Sequence, residues 1–206
     1  TDAIAHVVRC FENDEVVHVD GVIDPIADIE IIDMEMTLAD LASVEKQVLR
    51  VSKLLKSGKN EELLFSAEVW QKVESFLKQG LAVRDIALSN EEFEVIKPMC
   101  LLTTKPVMYV ANVDEEGLDG NSFLEKVVSR AAEKEIPVIM VCASVEAEIS
   151  DLEAEEQKVF LKDFGLLEPG LDRLIQAGYN LLGLQTFFTA GEKEVRAWTL
   201  EQGKTA

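Results

Sequence analysis

Between Ile4 and Phe11 the chain is almost uninterruptedly apolar (IAHVVRCF), the pattern of a strand buried on both faces of a parallel sheet. Asp24-Pro25 then supplies an N-cap and a first-turn proline. From there Ile31, Met34, Leu38 and Leu41 recur at steps of three and four, and after a slip at Val44 the stripe resumes at Val48, Val51 and Leu55. This spacing predicts one long amphipathic helix over residues 25–56 with a break in its stripe. Ser57-Gly58-Lys59-Asn60 reads as a turn. Leu63, Ala67, Trp70, Val73 and Leu77 share one face of a second helix that Gly80 ends. Two long helices joined by a short polar turn predict an antiparallel, coiled-coil-like hairpin whose stripes pack on each other.

Ser89 with Glu91 and Glu92 starts a third helix that closes near Lys97-Pro98. Pro106–Ala111 (PVMYVA) and Pro137–Cys142 (PVIMVC) read as buried strands, with a helix at about Ser122–Lys134 between them. A strand–helix–strand unit requires a parallel pair with a right-handed crossover. Both following segments, Asn112–Gly117 and Ala143–Glu146, are then loops at the carboxyl edge of the strands, where open α/β sheets bind ligands. Helices at Glu153–Asp163 and Gly170–Leu182 follow, and Gln185–Ala190 with Glu194–Leu200 predict a hairpin turning at Gly191-Glu192. The change from helical to strand pattern near Leu184 marks a second module. With two strands by the chain's end at Ala206, its remainder is expected elsewhere in a longer polypeptide.

The 206 residues suffice for one domain with a real core. No apolar run approaches the ~20 residues of a membrane span, no signal or transit peptide is read at Thr1, and no membrane role is expected. Cys10, Cys100 and Cys142 are an odd, widely spaced set without a CxxC pair. They read as reduced core or half-buried thiols, which suits the cytoplasm. The formal charge of −19 opposes tight, sequence-independent nucleic-acid binding and reads first as a solubilising surface. One local exception exists: Lys46, Arg50, Lys53, Lys56 and Lys59 gather at the hairpin tip and form a candidate contact for RNA or another polyanion. Glu30, Asp33 and Glu35 read as a solvated helix face. His6, in a strand, and His18, in a loop, have no ligand-spaced partners and read as structural, so no metal site is expected.

The two loops at the strand ends carry the candidate chemistry. The carboxamide of Asn112 offers a donor and an acceptor together, which suits the N7 and exocyclic edge of a purine. Glu115, three residues on, can accept from an amino group. Ala143, Ser144 and Val145 can close over the same base through backbone groups. On spacing alone an Asn after a strand is more often a plain turn residue.

Four segments add to that reading. His6–Asp14 (HVVRCFEND), Lys105–Gly117 (KPVMYVANVDEEG), Val141–Ile149 (VCASVEAEI) and Leu184–Thr199 (LQTFFTAGEKEVRAWT) together closely resemble the YchF, or Obg-like ATPase, subfamily of translation-factor-type P-loop GTPases. The resemblance runs in order along essentially the whole chain. It implies an α/β fold: a partial parallel-sheet P-loop NTPase-type domain with an inserted helical hairpin, followed by the start of a TGS (β-grasp) domain. The implied divisions are 1–23 for the first strand and loop of the nucleotide module, 24–88 for the hairpin, 89–183 for the rest of that module and 184–206 for the start of TGS.

In that family Asn112–Glu115 stands where other GTPases carry Asn-Lys-x-Asp, and the Asn-x-x-Glu variant goes with ATP preference over GTP. The resemblance therefore implies base-binding roles for Asn112, Val113, Glu115, Ala143, Ser144 and Val145. Physical reasoning agrees, because Glu115 adds a methylene to the short carboxylate that grips guanine with two hydrogen bonds. Val113 stands in place of the Lys whose stem packs along the nucleotide, and Asp114 lies one position early. The resemblance also implies ATP (or GTP) hydrolysis, Mg²⁺ and association with the ribosome or ribosomal RNA. The chain contains no GxxxxGK[ST], the loop that cradles phosphates. Mg²⁺ is thus expected through residues outside this chain, the sequence does not identify the catalytic group, and these 206 residues alone are expected to be inactive. The competing expectation is a non-catalytic protein- or RNA-interaction module.

Overall fold

A computed structural model describes residues 1–12, 23–58 and 60–204. His18 and Lys59 lie outside the described residues. The chain divides into two compact units, one of residues 1–28 with 107–206 and one of residues 29–106.

The first unit is built on three parallel strands in the order β1-β2-β3: β1 (Ile4–Arg9), β2 (Val107–Asn112) and β3 (Val138–Val141). The central strand β2 is buried from Val107 to Ala111, as a strand covered on both faces must be. Its neighbours pair in register with Arg9 and Val141 each opposite Asn112. The amphipathic helix α4 (Ser122–Glu133) makes the crossover and buries Val127 and Ala131. Three further helices are α5 (Ala143–Ser150), α6 (Ala154–Asp163) and α7 (Gly170–Leu181). The antiparallel hairpin of β4 (Leu184–Ala190) and β5 (Val195–Glu201) groups with this unit. The residues 143–146, expected as a loop, are the first turn of α5. That helix escapes a periodicity argument because it has only eight residues and just two of its side chains, Val145 and Ile149, are buried.

The second unit is helical. The long helix α1 (Pro25–Ser57) enters it at Ile29, and α2 (Glu61–Lys78) follows after a turn in which the Asn60 carboxamide accepts from Leu63 N at 2.7 Å. Val44 and Val51 of α1 pack with Val69, Trp70, Val73 and Leu77 of α2, and Lys78 pairs with Glu45 at 3.6 Å. The two helices therefore run antiparallel, as expected. The short helix α3 (Asn90–Ile96) carries a full capping box between Ser89 and Glu92. Glu92 also receives Lys72 of α2 at 2.8 Å, and both contacts hold its carboxyl below the usual range. Because Ile96 and Leu101 complete the core that Trp70 and Val73 begin, this unit runs to Pro106. The expected hairpin boundary at Leu88 leaves that part of the core out.

The stripe expected in the first half of α1 is corrected. Ile31, Met34 and Leu38 are exposed, whereas Ile29, Met36, Thr37, Asp40 and Val44 are buried. Two polar residues on the inward face hide it from a hydrophobic pattern. Asp40 accepts from Leu102 N at 2.8 Å, Thr103 N at 2.7 Å and Thr103 Oγ1 at 2.7 Å, and Thr103 Oγ1 in turn accepts from Val83 N at 3.2 Å. Arg84 extends the same junction to the carbonyls of Thr103 and Lys105 and to Asp33 at 3.7 Å. Glu30 and Glu35 are exposed as expected, but Asp33 is half-buried. Cys10 and Cys142 are buried free thiols, while Cys100 is exposed at a positive φ of 49°.

Asp40→Ala strands three buried or half-buried donors, each of which costs about 1–3 kcal/mol when left unpaired. We expect a stability loss of about 3 kcal/mol or more, read as a fall in the urea midpoint at unchanged m-value.

Candidate functional site

The carboxyl edge of the three strands is held by a closed set of hydrogen bonds around Asn112. Its backbone carbonyl accepts from Cys10 N at 2.8 Å, and the next amide, Val113 N, donates to Val141 O at 2.9 Å. These bonds extend the two ladders one residue past the strands. The Asn112 side-chain oxygen accepts from Ala143 N at 3.1 Å, tying the β2 loop to the first turn of α5. Asn121, the N-cap of α4, accepts from Leu124 N at 2.8 Å and donates through Nδ2 to Cys10 O at 2.7 Å. Burial pushes the Cys10 thiol up to about 11, so it stays protonated and serves as packing.

The loop itself is a tight turn. Asp114 Oδ1 accepts from Gly117 N at 2.9 Å, and a short 3-10 turn over Glu116–Asp119 follows. Gly117 is buried, and a Cβ there would lie 2.7 Å from Asn121 Nδ2 and 2.8 Å from Asp114 Oδ1. A side chain there would have to displace the Asx turn or the α4 cap. Asn121 and Gly117 were not among the sequence candidates. The available signal was Gly120-Asn121 directly before an amphipathic helix, the position of an N-cap.

The sequence candidates separate by what their side chains face. Glu115 is exposed, and among the described residues its carboxylate has no partner. Ala143 and Ser144 are also exposed, with Ser144 Oγ 3.2 Å from Cys142 Sγ. Val113 and Val145 are 2% and 1% exposed. Their side chains are core, so each reaches a ligand only through its backbone. The Asn112 carboxamide also differs from expectation: its oxygen is engaged by Ala143, which leaves Nδ2 as the free hydrogen-bonding end. One lone pair of Oδ1 is thus committed to Ala143 N, while Nδ2 makes no bond among the described residues. The α5 N-terminus has no side-chain cap, so the amides of Ser144 and Val145 add donors beside it.

Charge selects which part of a ligand this edge can take. Residues 112–120 carry Asp114, Glu115, Glu116 and Asp119 and no Lys or Arg. Such an edge repels phosphate and suits the neutral base of a nucleotide. Among the described residues no group of three or more His, Cys, Asp or Glu could hold a metal ion, and no helix is long and apolar enough to cross a membrane. His6 is buried and meets Tyr109 edge-on at 5.8 Å. At the other candidate site, Lys46, Arg50, Lys53 and Lys56 are all exposed and have no carboxylate partner among the described residues. Leu49, 62% exposed, lies among them.

No family model matches the chain. Individual proteins do. It is 50% identical over 206 residues to the ribosome-binding ATPase YchF of Haemophilus influenzae, covering 100% of this chain and 56% of that protein. It is 46% identical to the ribosome-binding ATPase YchF of Bacillus subtilis, covering 100% of this chain and 57% of that protein. The solved structure of the Schizosaccharomyces pombe YchF GTPase superposes with a TM-score of 0.87 at 33% identity, covering 100% of this chain and 56% of that one. The chain thus spans little more than half the length of the relatives it matches.

Val113→Lys would place an ammonium among buried groups next to Gly117. We expect a destabilisation of roughly 2–4 kcal/mol, read by urea unfolding. An unchanged midpoint would mean that this side chain can swing out of the core.

Proposed function

The chain belongs to the YchF/Obg-like family, and from that membership we propose that it forms the base-recognising part of an ATP-preferring, GTP-tolerant nucleotide hydrolase associated with the ribosome in the cytoplasm. The observation that carries this reading is the bond between Asn112 Oδ1 and Ala143 N, which leaves a rigidly held amide donor where two strand ends open. That donor suits purine N7, which adenine and guanine share. Asn112 then selects purines, and Glu115 selects between them by accepting from the adenine exocyclic amine. Ser144 and Val145 contribute backbone donors. The phosphates, Mg²⁺ and the attacking water are assigned to the part of the protein outside these 206 residues. Hydrolysis therefore requires that part, and the separate segment is inactive. The hairpin β4–β5 is read as the opening of the TGS module.

A second reading, a protein- or RNA-interaction module without catalysis, draws on the exposed cations of α1. Lys46, Arg50 and Lys53 fall within two turns on one face, unpaired among the described residues on a chain of charge −19. Mutual repulsion makes such a cluster unfavourable until an anion offsets it. We assign ribosomal RNA as that polyanion. The two readings are compatible in one protein and separate by experiment.

In the full-length protein Asn112→Ala removes one donor worth about 1–3 kcal/mol and should weaken ATP and GTP alike, by roughly 5- to 150-fold in titration calorimetry. Glu115→Asp alone should move the ATP-to-GTP affinity ratio toward GTP, because the shorter carboxylate withdraws from the adenine amine. If the ratio stays put, Glu115 does not set base choice. Reversing Lys46, Arg50 and Lys53 to Glu should leave nucleotide affinity unchanged, while ribosome co-sedimentation falls and loses part of its salt dependence. Equal pelleting across the salt series would reduce the cluster to a solvated helix face.

A further inference from the structure

Glu146, one turn into α5, reaches out of its own helix. Its Oε1 accepts from Gly170 N at 2.6 Å and its Oε2 from Leu171 N at 3.1 Å. These are the first two amides of α7, a helix whose own N-cap is Pro169 and which has no side-chain cap. The carboxylate thus supplies, from 24 residues away, the acceptor and the negative charge that a helix N-terminus needs. Gly170 is shaped to this contact: a Cβ there would meet Glu146 Oε1 at 2.8 Å and Val141 Cγ1 at 3.1 Å.

The first turn of α5 is therefore tied twice. Its first amide is held by Asn112 through Ala143 N at 3.1 Å, and its Glu146 holds α7. The far end of α7 leads into the hairpin, where Gly183 O accepts from Gln202 N at 2.7 Å and Tyr179 Oη lies 3.4 Å from Thr199 Oγ1. The hydrogen bond to Thr199, with another to Thr186, lowers the Tyr179 phenol below its ordinary value. A continuous line of bonds thus runs from the base loop to β4 and β5.

We propose that Glu146 is a positioning residue that couples the base loop to α7 and to the hairpin beyond it. Ordering of the first turn of α5 fixes the Glu146 carboxylate on Gly170 and Leu171, and release of that turn loosens them. The coupling is reciprocal, as any linkage between two sites must be. Its role in signalling nucleotide binding rests on the proposed function, but the mechanical coupling does not. A ligand held by Asn112 Nδ2 and the α5 amides orders the same turn and so tightens α7.

The test is hydrogen exchange on the full-length protein, following the amides of residues 143–146 and 170–171, with the buried β2 amides of the same unit as reference for its stability. Without nucleotide, Asn112→Ala should speed exchange at 143–146 and, through Glu146, at 170–171, by about tenfold. Glu146→Gln keeps the size of the side chain but loses the anionic fork, so 170–171 should already exchange fast. Adding Asn112→Ala to it should then speed 143–146 alone. Gly170→Ala, which displaces the carboxylate without altering Glu146, should reproduce the Glu146→Gln result. Two outcomes overturn the proposal: Asn112→Ala leaving 170–171 untouched with Glu146 present, or speeding them equally in both backgrounds. ATP added to the wild type should slow both sets of amides. ATP slowing neither set would count against the nucleotide reading, while the mutant comparison without nucleotide still decides the coupling.

Discussion

The carboxyl end of β2 is the point on which the described site depends. Asn112 sits there with its carbonyl bonded to Cys10 N, its side-chain oxygen bonded to Ala143 N, and the following amide bonded to Val141 O. Parallel strands leave their last backbone groups without a hairpin partner, so these groups must find bonds across the loops. Here those bonds close on one another, and Asn121 adds a fourth through Cys10 O. The result is a loop whose shape is set by backbone bonding and by the absence of a side chain at Gly117. Exposed Glu115 is then free to face a ligand, because no fold contact among the described residues claims it.

The helical unit solves a different problem, that of returning a chain from a long hairpin. A purely apolar stripe would hold α1 to α2, but it gives no directional hold on the segment that comes back along them. Asp40 provides one, with three hydrogen bonds to Leu102 and Thr103. A buried carboxylate is unfavourable when isolated and tolerable when fully bonded. The penalty for mispairing makes the register of that segment specific.

The charge of the molecule is unevenly distributed. Acidic residues line the loop at 112–120, where a neutral base is proposed, and cations gather on α1 where a polyanion is proposed. Neither arrangement is required by the core. Val44 and Val51 would bury equally well with other residues at 46, 50 and 53.

Several features follow from sequence alone because they depend on local order. Parallel β2 and β3 follow from an apolar run, an amphipathic helix and a second apolar run, since no short turn can join parallel strands. The helix pair follows from its 3.6-residue period and the polar turn at 57–60, and the resemblance carried by residues 105–117 and 141–149 agrees with the YchF relatives. Other features needed partners distant in sequence. Asp40 acquires its role only from Thr103, 63 residues away. Burial of the Val113 side chain likewise depends on tertiary packing, and α5 is too short for a period to show. Asn112 offered two hydrogen-bonding ends in the sequence, and the tertiary structure used one of them for Ala143. Periodicity reports which face of an element is apolar. It cannot report which polar atom already has a partner, and at this site that assignment decides what a ligand can meet.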